Sequence, residues 1–487
     1  MDDAPHPPPD EQPLDRAASD EPRPGAGMPD EPRPDLAVPD EPRPDLGMPE
    51  PPSERPPGRD TRRPPREIWL GTVLIAVAVS CLLGLWLKAQ PDPFHGWKAD
   101  CANGVWTGNQ YSYLCYSDIV PLLGTEHLDG GRLPYLDRCP GTGECDEYPV
   151  VTMWAMRLAA WMSGSYGAFF YANALLLAIA AGVTAVCLYL VAGRRALWFA
   201  LAPTLVVYGF MNWDLIAVAF AVAGILAFFR GRDVWAGVLF GLGAAAKLFP
   251  ALLVIPFAAE RFRRREPDRG IHLAWAAAGT WVAVNLPFAL LGFHGWWEFF
   301  RFNATRQADF DSLWYIGCHM AGGSDCVPTS VVNLSALVAF AVLTGVVWAI
   351  RRRRQPSFPT WTVAFPAVVL FLATNKVYSP QYGLWLLPLF ALALPDLGRL
   401  RAIWLFVAFE ITDVAVFVTR FTWFNVVQYG GGGAPFWAFE TAVLARMAVL
   451  ILCLIAWVTG PPVDLDGPAL QDEPALREPR LAVGAPA

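Results

Sequence analysis

Carboxylates crowd into one stretch of this chain. Tyr116, Ser117 and Asp118 are followed by Glu144, Asp146, Glu147, Tyr148 and Pro149, so several acidic groups gather just ahead of an apolar segment. The chemistry open to such groups is proton transfer. Further on, polar residues interrupt long apolar runs in three clusters: Asn212, Trp213 and Asp214; Lys247, Phe249 and Pro250; and Asn375, Lys376, Ser379, Pro380, Gln381 and Tyr382. Ionisable side chains are costly to keep at membrane depth and tend to be functional there, which singles out Asp214, Lys247, Lys376, Glu410 and Asp413. A fourth polar region, 294–329, adds Arg306, Asp311 and Trp314.

The elements that must position these residues are membrane helices. Of 487 residues 54% are apolar, with 21 Trp and 30 Phe, which makes lipid the solvent for most of the chain. The formal charge of −7 belongs to the first 65 residues, whose 16 Asp or Glu and 8 Arg leave −8. That segment repeats the decapeptides DEPRPGAGMP, DEPRPDLAVP and DEPRPDLGMP, starting at Asp20, Asp30 and Asp40. Pro and charge at this density bury no core, so 1–67 is expected to be a disordered tail, with a second one at 460–487. The basic residues form short clusters between apolar segments instead of a stripe along one helix, which argues against nucleic acid as a partner.

Those clusters also set the topology. Arg62, Arg63 and Arg66 precede the apolar run Ile68–Leu87, placing the N-terminal tail in the cytoplasm and the loop from Lys88 to Tyr148 outside. Arg194/Arg195, Arg230/Arg232, Arg261 to Arg265, Arg351 to Arg354 and Arg399/Arg401 are then each cytoplasmic, and an even number of crossings must separate consecutive clusters. The count gives helices near 68–88, 168–192, 196–210, 214–229, 233–247, 250–260, 271–292, 330–350, 361–374, 383–395, 402–420 and 436–459. The expected fold is an all-α polytopic membrane bundle of about twelve helices with both termini cytoplasmic. The three polar clusters become hinges on the outer face between short helices, and polar backbone survives there only beside a cavity or groove. Residues 149–164, apolar but interrupted by Arg157, read as an interfacial helix. Six of the nine Cys lie in polar loops, Cys101, Cys115, Cys139, Cys145, Cys318 and Cys326, and neighbours in sequence are the simplest disulfide pairs if those loops face an oxidising compartment.

Several spread motifs occur in order and on the same expected face: D-I-x-x-L at Asp118, G-G-R-L-P-Y ending at Tyr135, E-Y-P-V at Glu147, N-W-D at Asn212–Asp214, G-A-A-A-K-L-F-P ending at Pro250, F-N-A-T-R-Q-A-D-F-D-S-L-W ending at Trp314, and K-V-Y-S-P-Q-Y at Lys376–Tyr382. With these the chain resembles glycosyltransferase family 87 over residues 68–459. The resemblance implies a GT-C-like bundle in the plasma membrane that moves a hexose, mannose first of all, from a polyprenyl-phosphate donor to an extracytoplasmic glycolipid or polysaccharide with inversion. It puts Asp118 forward as general base on the acceptor hydroxyl, with Glu147 second. Lys247, Lys376 and Arg306 would meet the charge of the leaving phosphate. Trp213, Asp214, Asp311, Trp314, Gln381 and Tyr382 would hold sugar or acceptor. Glu144 and Asp146 form an E-x-D pair like the acidic motif that binds a cation in some GT-C relatives. A lipid monophosphate has no pyrophosphate to neutralise, so no metal site and no cofactor are expected. The rival reading is a multi-pass transporter or lipid flippase, against which stand the acidic outer loop and the absence of an evident inverted repeat.

Overall fold

The computed structural model describes residues 66–90, 101–104, 108–141, 145–323, 326–394 and 399–461, with 465, 467 and 470 beyond them. The repeat tail and most of 460–487 lie outside the described residues. Every regular element described is a helix. Six helices are long and apolar enough to cross a bilayer: Ile68–Ala89, Tyr166–Ala200, Pro267–Leu291, Thr329–Arg354, Arg401–Tyr429 and Phe436–Thr459. The remaining expected helices exist but are short. Asp214–Phe229 and Asp233–Ala246 form one antiparallel pair, Ala251–Arg263 follows, and Ala364–Thr374 is followed by Gly383–Ala393. The segment expected as 196–210 breaks into Leu197–Ala200 and Pro203–Tyr208, because Pro203 starts a new helix and cannot continue the old one.

Burial separates the short helices from the long ones. All residues of Gly383–Ala393 are buried, and nearly all of Asp214–Phe229, so both run through the middle of the bundle. Thr329–Arg354 buries only Val332, Ala336 and Arg351, leaving Leu334, Leu337, Val342 and Val346 exposed as a lipid-facing surface. Helices this apolar gain nothing from hydrophobic association in lipid, so close packing through small residues must hold them together. Asp233–Ala246 does this against Pro267–Leu291. A Cβ on Gly237 would stand 2.2 Å from the Leu273 carbonyl oxygen, and one on Gly241 2.5 Å from that of Ala277. These two glycines, four residues apart, form one small-residue stripe.

Charge collects at the helix ends remote from the three hinges. Asp233 there receives Arg261 at 2.7 Å and Arg269 at 2.6 Å, while Glu260 receives Arg263 and Arg264 at 2.7 and 2.6 Å. At the opposite ends the first loop is folded onto the bundle. It carries the short helix Ile119–Thr125, the disulfides Cys101–Cys115 and Cys139–Cys145, and a buried Arg132 that donates to both oxygens of Asp146 and to Glu126. The third loop disulfide, Cys318–Cys326, also joins sequence neighbours. Residues 149–164 contain the helix Val150–Trp161, whose Arg157 donates to the Leu128 carbonyl and covers the Trp161 ring.

Replacing Gly241 by Leu should therefore separate two helices whose backbones touch. An overpacked core typically costs about 1–3 kcal/mol. The expected outcome is a lower yield of detergent-solubilised protein and an earlier thermal unfolding transition, whereas Gly279→Leu, at a position with open space around it, should leave both unchanged.

Candidate active site

Each hinge leaves a few backbone groups outside a helix, and the three hinges converge with the first loop and the 306–312 segment around one cavity of about 450 Å³. Asp118 precedes the first residue of Ile119–Thr125, the position of a helix cap, yet its side chain caps nothing. Its backbone N–H donates to the Met211 carbonyl, and Ser117 Oγ to that of Phe210, which pins this turn to the Asn212 hinge. The carboxylate is held by both oxygens: Oδ1 accepts from Tyr116 Oη at 2.7 Å and Oδ2 from Asn212 Nδ2 at 2.8 Å.

Asn212 is buried and joins several partners. Its Nδ2 also donates to Tyr148 Oη at 2.8 Å, and its Oδ1 accepts from the Trp213 N–H at 2.7 Å and from Lys247 Nζ at 3.3 Å. Lys247 follows the last residue of Asp233–Ala246, and Thr152 Oγ1 fastens that helix end by donating to the Ala246 carbonyl. The ammonium lies 3.5 Å from Asp214 Oδ2 and above the rings of Tyr148 and Tyr382. Asp214 in turn accepts from Trp385 Nε1 at 2.7 Å, and Trp385 stacks on Tyr382 with centroids 3.9 Å apart.

A cationic wall faces this arrangement. Lys376 is buried and donates to the carbonyls of Ala304 and Arg306 at 3.2 and 2.7 Å. Burial, assisted by the charge of Arg306, brings its pKa down to about 8. Arg306 lies over the Phe302 ring and makes no ion pair among the described residues. Beyond it Arg420 reaches the cavity between Asp309, at 3.2 Å, and Asp311. Burial alone would raise the Asp309 carboxyl, but Arg420 and Arg306 outweigh it and hold the group below the usual carboxylate range.

Asp118, Glu147, Lys247, Arg306, Lys376, Gln381 and Tyr382 thus border one cavity. Trp213, Asp214, Asp311 and Trp314, also singled out in the sequence, do not, and neither do Glu410 and Asp413. Trp213 turns into the bundle and donates to Asn173 Oδ1, and Asp214 lies behind Lys247. Asp311 is fully buried between Arg420 and Arg446, and Trp314 donates to the Thr374 carbonyl on the far side of the hinge. The helix begins only at Asp214, and the turn that enters it aims Asn212 at the cavity and Trp213 and Asp214 away from it. Tyr116, Tyr148, Asp309, Ser379 and Arg420 also border the cavity; they lie in the polar outer regions expected to form the site, the last at the Asp413–Arg420 helix end, although none was given a chemical role of its own. Tyr116 and Tyr148 sit two residues before Asp118 and one after Glu147, which is the only signal that marked them. Asp146 spends both oxygens on Arg132, and Glu144 lies outside the described residues, so the E-x-D pair is not seen as a cation site. A His127, Cys139 and Cys145 group has ligand spacing, but its two cysteines form a disulfide.

Residues 148–380 match the model of glycosyltransferase family 87. The matched segment covers just under half of the chain. It contains Tyr148, the Asn212 and Lys247 hinges, Arg306 and Lys376, and it stops short of Asp118 on one side and Arg420 on the other. Two solved structures are similar to the chain. One is ArnT from Cupriavidus metallidurans bound to undecaprenyl phosphate, at 14% identity and a TM-score of 0.42, covering 80% of this chain and 76% of that one. The other is the same protein in the apo state, at 14% identity and 0.40, with the same coverage. No curated protein matches the sequence.

The lowered Lys376 predicts a pH dependence with a definite sign. A base whose pKa is about 8 is charged below that pH and neutral above it. The affinity of the purified protein for an anionic headgroup should fall between pH 7 and pH 9, and Lys376→Arg, which stays charged over this range, should flatten the fall.

Proposed function

We propose that the chain transfers a hexose, mannose first of all, from a polyprenyl phosphate to an acceptor hydroxyl outside the membrane, inverting the anomeric carbon in one step. The observation that carries the reading is a single cavity with an anchored carboxylate, Asp118, on one wall and, on another, Arg306, which makes no ion pair among the described residues. The acceptor oxygen attacks C1 of the sugar as Asp118 takes its proton. The bond from C1 to the phosphate oxygen breaks, and the electron pair leaves with the polyprenyl phosphate. Tyr116 and Asn212 fix the direction of the carboxylate without protonating it, since each donates one hydrogen bond and leaves lone pairs for the incoming hydroxyl.

The leaving phosphate falls first to Arg306 and Lys376. Lys247 shares its charge with Asp214, so it supports the hinge and adds less to anion binding. Glu147, also at the cavity, is the alternative base. Gln381 and Tyr382 are placed to touch the sugar, Tyr382 with one face covered by Trp385. The outward orientation of this site, with both termini cytoplasmic and residues 68–459 forming the transferase domain, is supported by the disulfides in the loops on the hinge side, because such bonds persist in an oxidising compartment. The acceptor class, glycolipid or polysaccharide, is part of the same proposal.

The test is transfer of radiolabelled mannose from polyprenyl-phosphate-mannose to extracted membrane acceptors by purified protein. Asp118→Asn should lower the rate by about 10²–10⁴-fold, the range for a general base, with unchanged thermal unfolding. Arg306→Ala should lower it by about 10²-fold. Full activity in Asp118→Asn would move the base to Glu147, and no transfer by the wild type would remove the donor assignment.

A further inference from the structure

The Asn212 amide can sit in only one of its two orientations. Its oxygen faces two groups that can only donate, the Trp213 N–H and the Lys247 ammonium, and its nitrogen faces the Asp118 carboxylate, which accepts. Flipping the amide would set nitrogen against two donors and oxygen against a carboxylate. The orientation decides the role of the fourth partner. Tyr148 Oη, 2.8 Å from the same nitrogen, must accept the second amide hydrogen. Its own hydrogen is therefore free of Asn212, and no acceptor for it occurs among the described residues. Tyr148 borders the cavity, so an O–H donor without a protein acceptor stands beside the carboxylate proposed as base.

Resting on the reaction proposed above, we infer that Tyr148 donates a hydrogen bond to the C2 hydroxyl oxygen of the transferred hexose and selects donors that carry it. Tyr148 Oη and Asp118 Oδ2 are each 2.8 Å from one nitrogen, close enough for one sugar and its attacking hydroxyl to reach both. The attacking hydroxyl lies against Asp118 on one side of C1, and the phosphate departs on the other, towards Arg306 and Lys376. A donor placed beside Asp118 then meets an oxygen flanking C1, which is either the ring oxygen or that on C2. Positive charge builds on the ring oxygen in the transition state, so a hydrogen bond given to it would oppose the reaction. The C2 oxygen is not conjugated with C1 and takes no direct share of that charge, so a hydrogen bond given to it holds the sugar in place without the same penalty. Lys247 above the Tyr148 ring, 4.9 Å from its centroid, fixes the ring without using the hydroxyl.

The test compares kcat/KM for polyprenyl-phosphate-mannose and its 2-deoxy counterpart, in wild type and in Tyr148→Phe, using the full chain in proteoliposomes. The 2-deoxy sugar is intrinsically more reactive, and this difference cancels in the ratio between the two proteins. The expected result is that Tyr148→Phe slows mannose transfer about tenfold, leaves the 2-deoxy donor unaffected, and so lowers the preference for mannose by the same factor. An unchanged preference, with both donors slowed equally, overturns the assignment while leaving the glycosyltransferase reading intact. If wild type transfers neither sugar, the reaction itself is wrong and the assignment falls with it. Should the Phe variant unfold early, Tyr148→Met removes the same hydroxyl and is held to the same ratio.

Discussion

A single buried amide joins the groups that border the cavity. Asn212 binds the Asp118 carboxylate from the first loop, the Tyr148 hydroxyl from the start of the next helix and the Lys247 ammonium from a hinge far along the chain. None of these elements would hold its angle alone. The loop is stiffened by two disulfides and by Arg132, and it meets the bundle through this contact, the adjacent bonds to Phe210 and Met211, and others such as Arg157 with Leu128 and Ser112 with Asn425. A polar group so placed must have all its partners, because each one lost at this depth leaves an unsatisfied group costing about 1–3 kcal/mol. Asn212 has them all, which is why the amide can act as a rigid joint.

The short helices follow from the same need. A hinge lined with polar groups has to stop before it reaches water on the far side of the bilayer, so Asp233–Ala246 and Ala364–Thr374 end early and leave a space that the loops roof over. Several of the charges that remain inside are paired. Asp214 meets Lys247, and Arg446 stands between Asp311 and Asp413 with its guanidinium 3.7 Å from the Tyr378 ring. Breaking a buried pair typically costs about 3–5 kcal/mol, so these contacts specify one arrangement of helices around the cavity. Arg306 differs from them, being a cavity cation with no such partner among the described residues.

Much of this was legible in the sequence, for physical reasons. Apolar runs and Arg clusters mark helices and their ends, because lipid tolerates few exceptions. The polar interruptions at Asn212, Lys247 and Lys376 located the hinges that meet at the cavity. The directions of side chains within a hinge were not legible. Trp213 and Asp214 are polar or aromatic neighbours of Asn212, yet the turn into the helix that begins at Asp214 carries both into the bundle. Asp311 looked like a sugar ligand and is instead held by two arginines from distant helices. Tyr148 and Arg420 gain their positions from contacts between segments 64 to 111 residues apart, which no local pattern encodes.

The account rests on one displacement at C1, with a single carboxylate as base and no covalent sugar on the protein. The most direct measurement is the anomeric configuration of the product, read by NMR from transfer of ¹³C-labelled mannose out of polyprenyl-phosphate-mannose of known configuration. The account predicts complete inversion. Retention would mean two successive displacements through a glycosyl-enzyme, and would contradict the role given to Asp118.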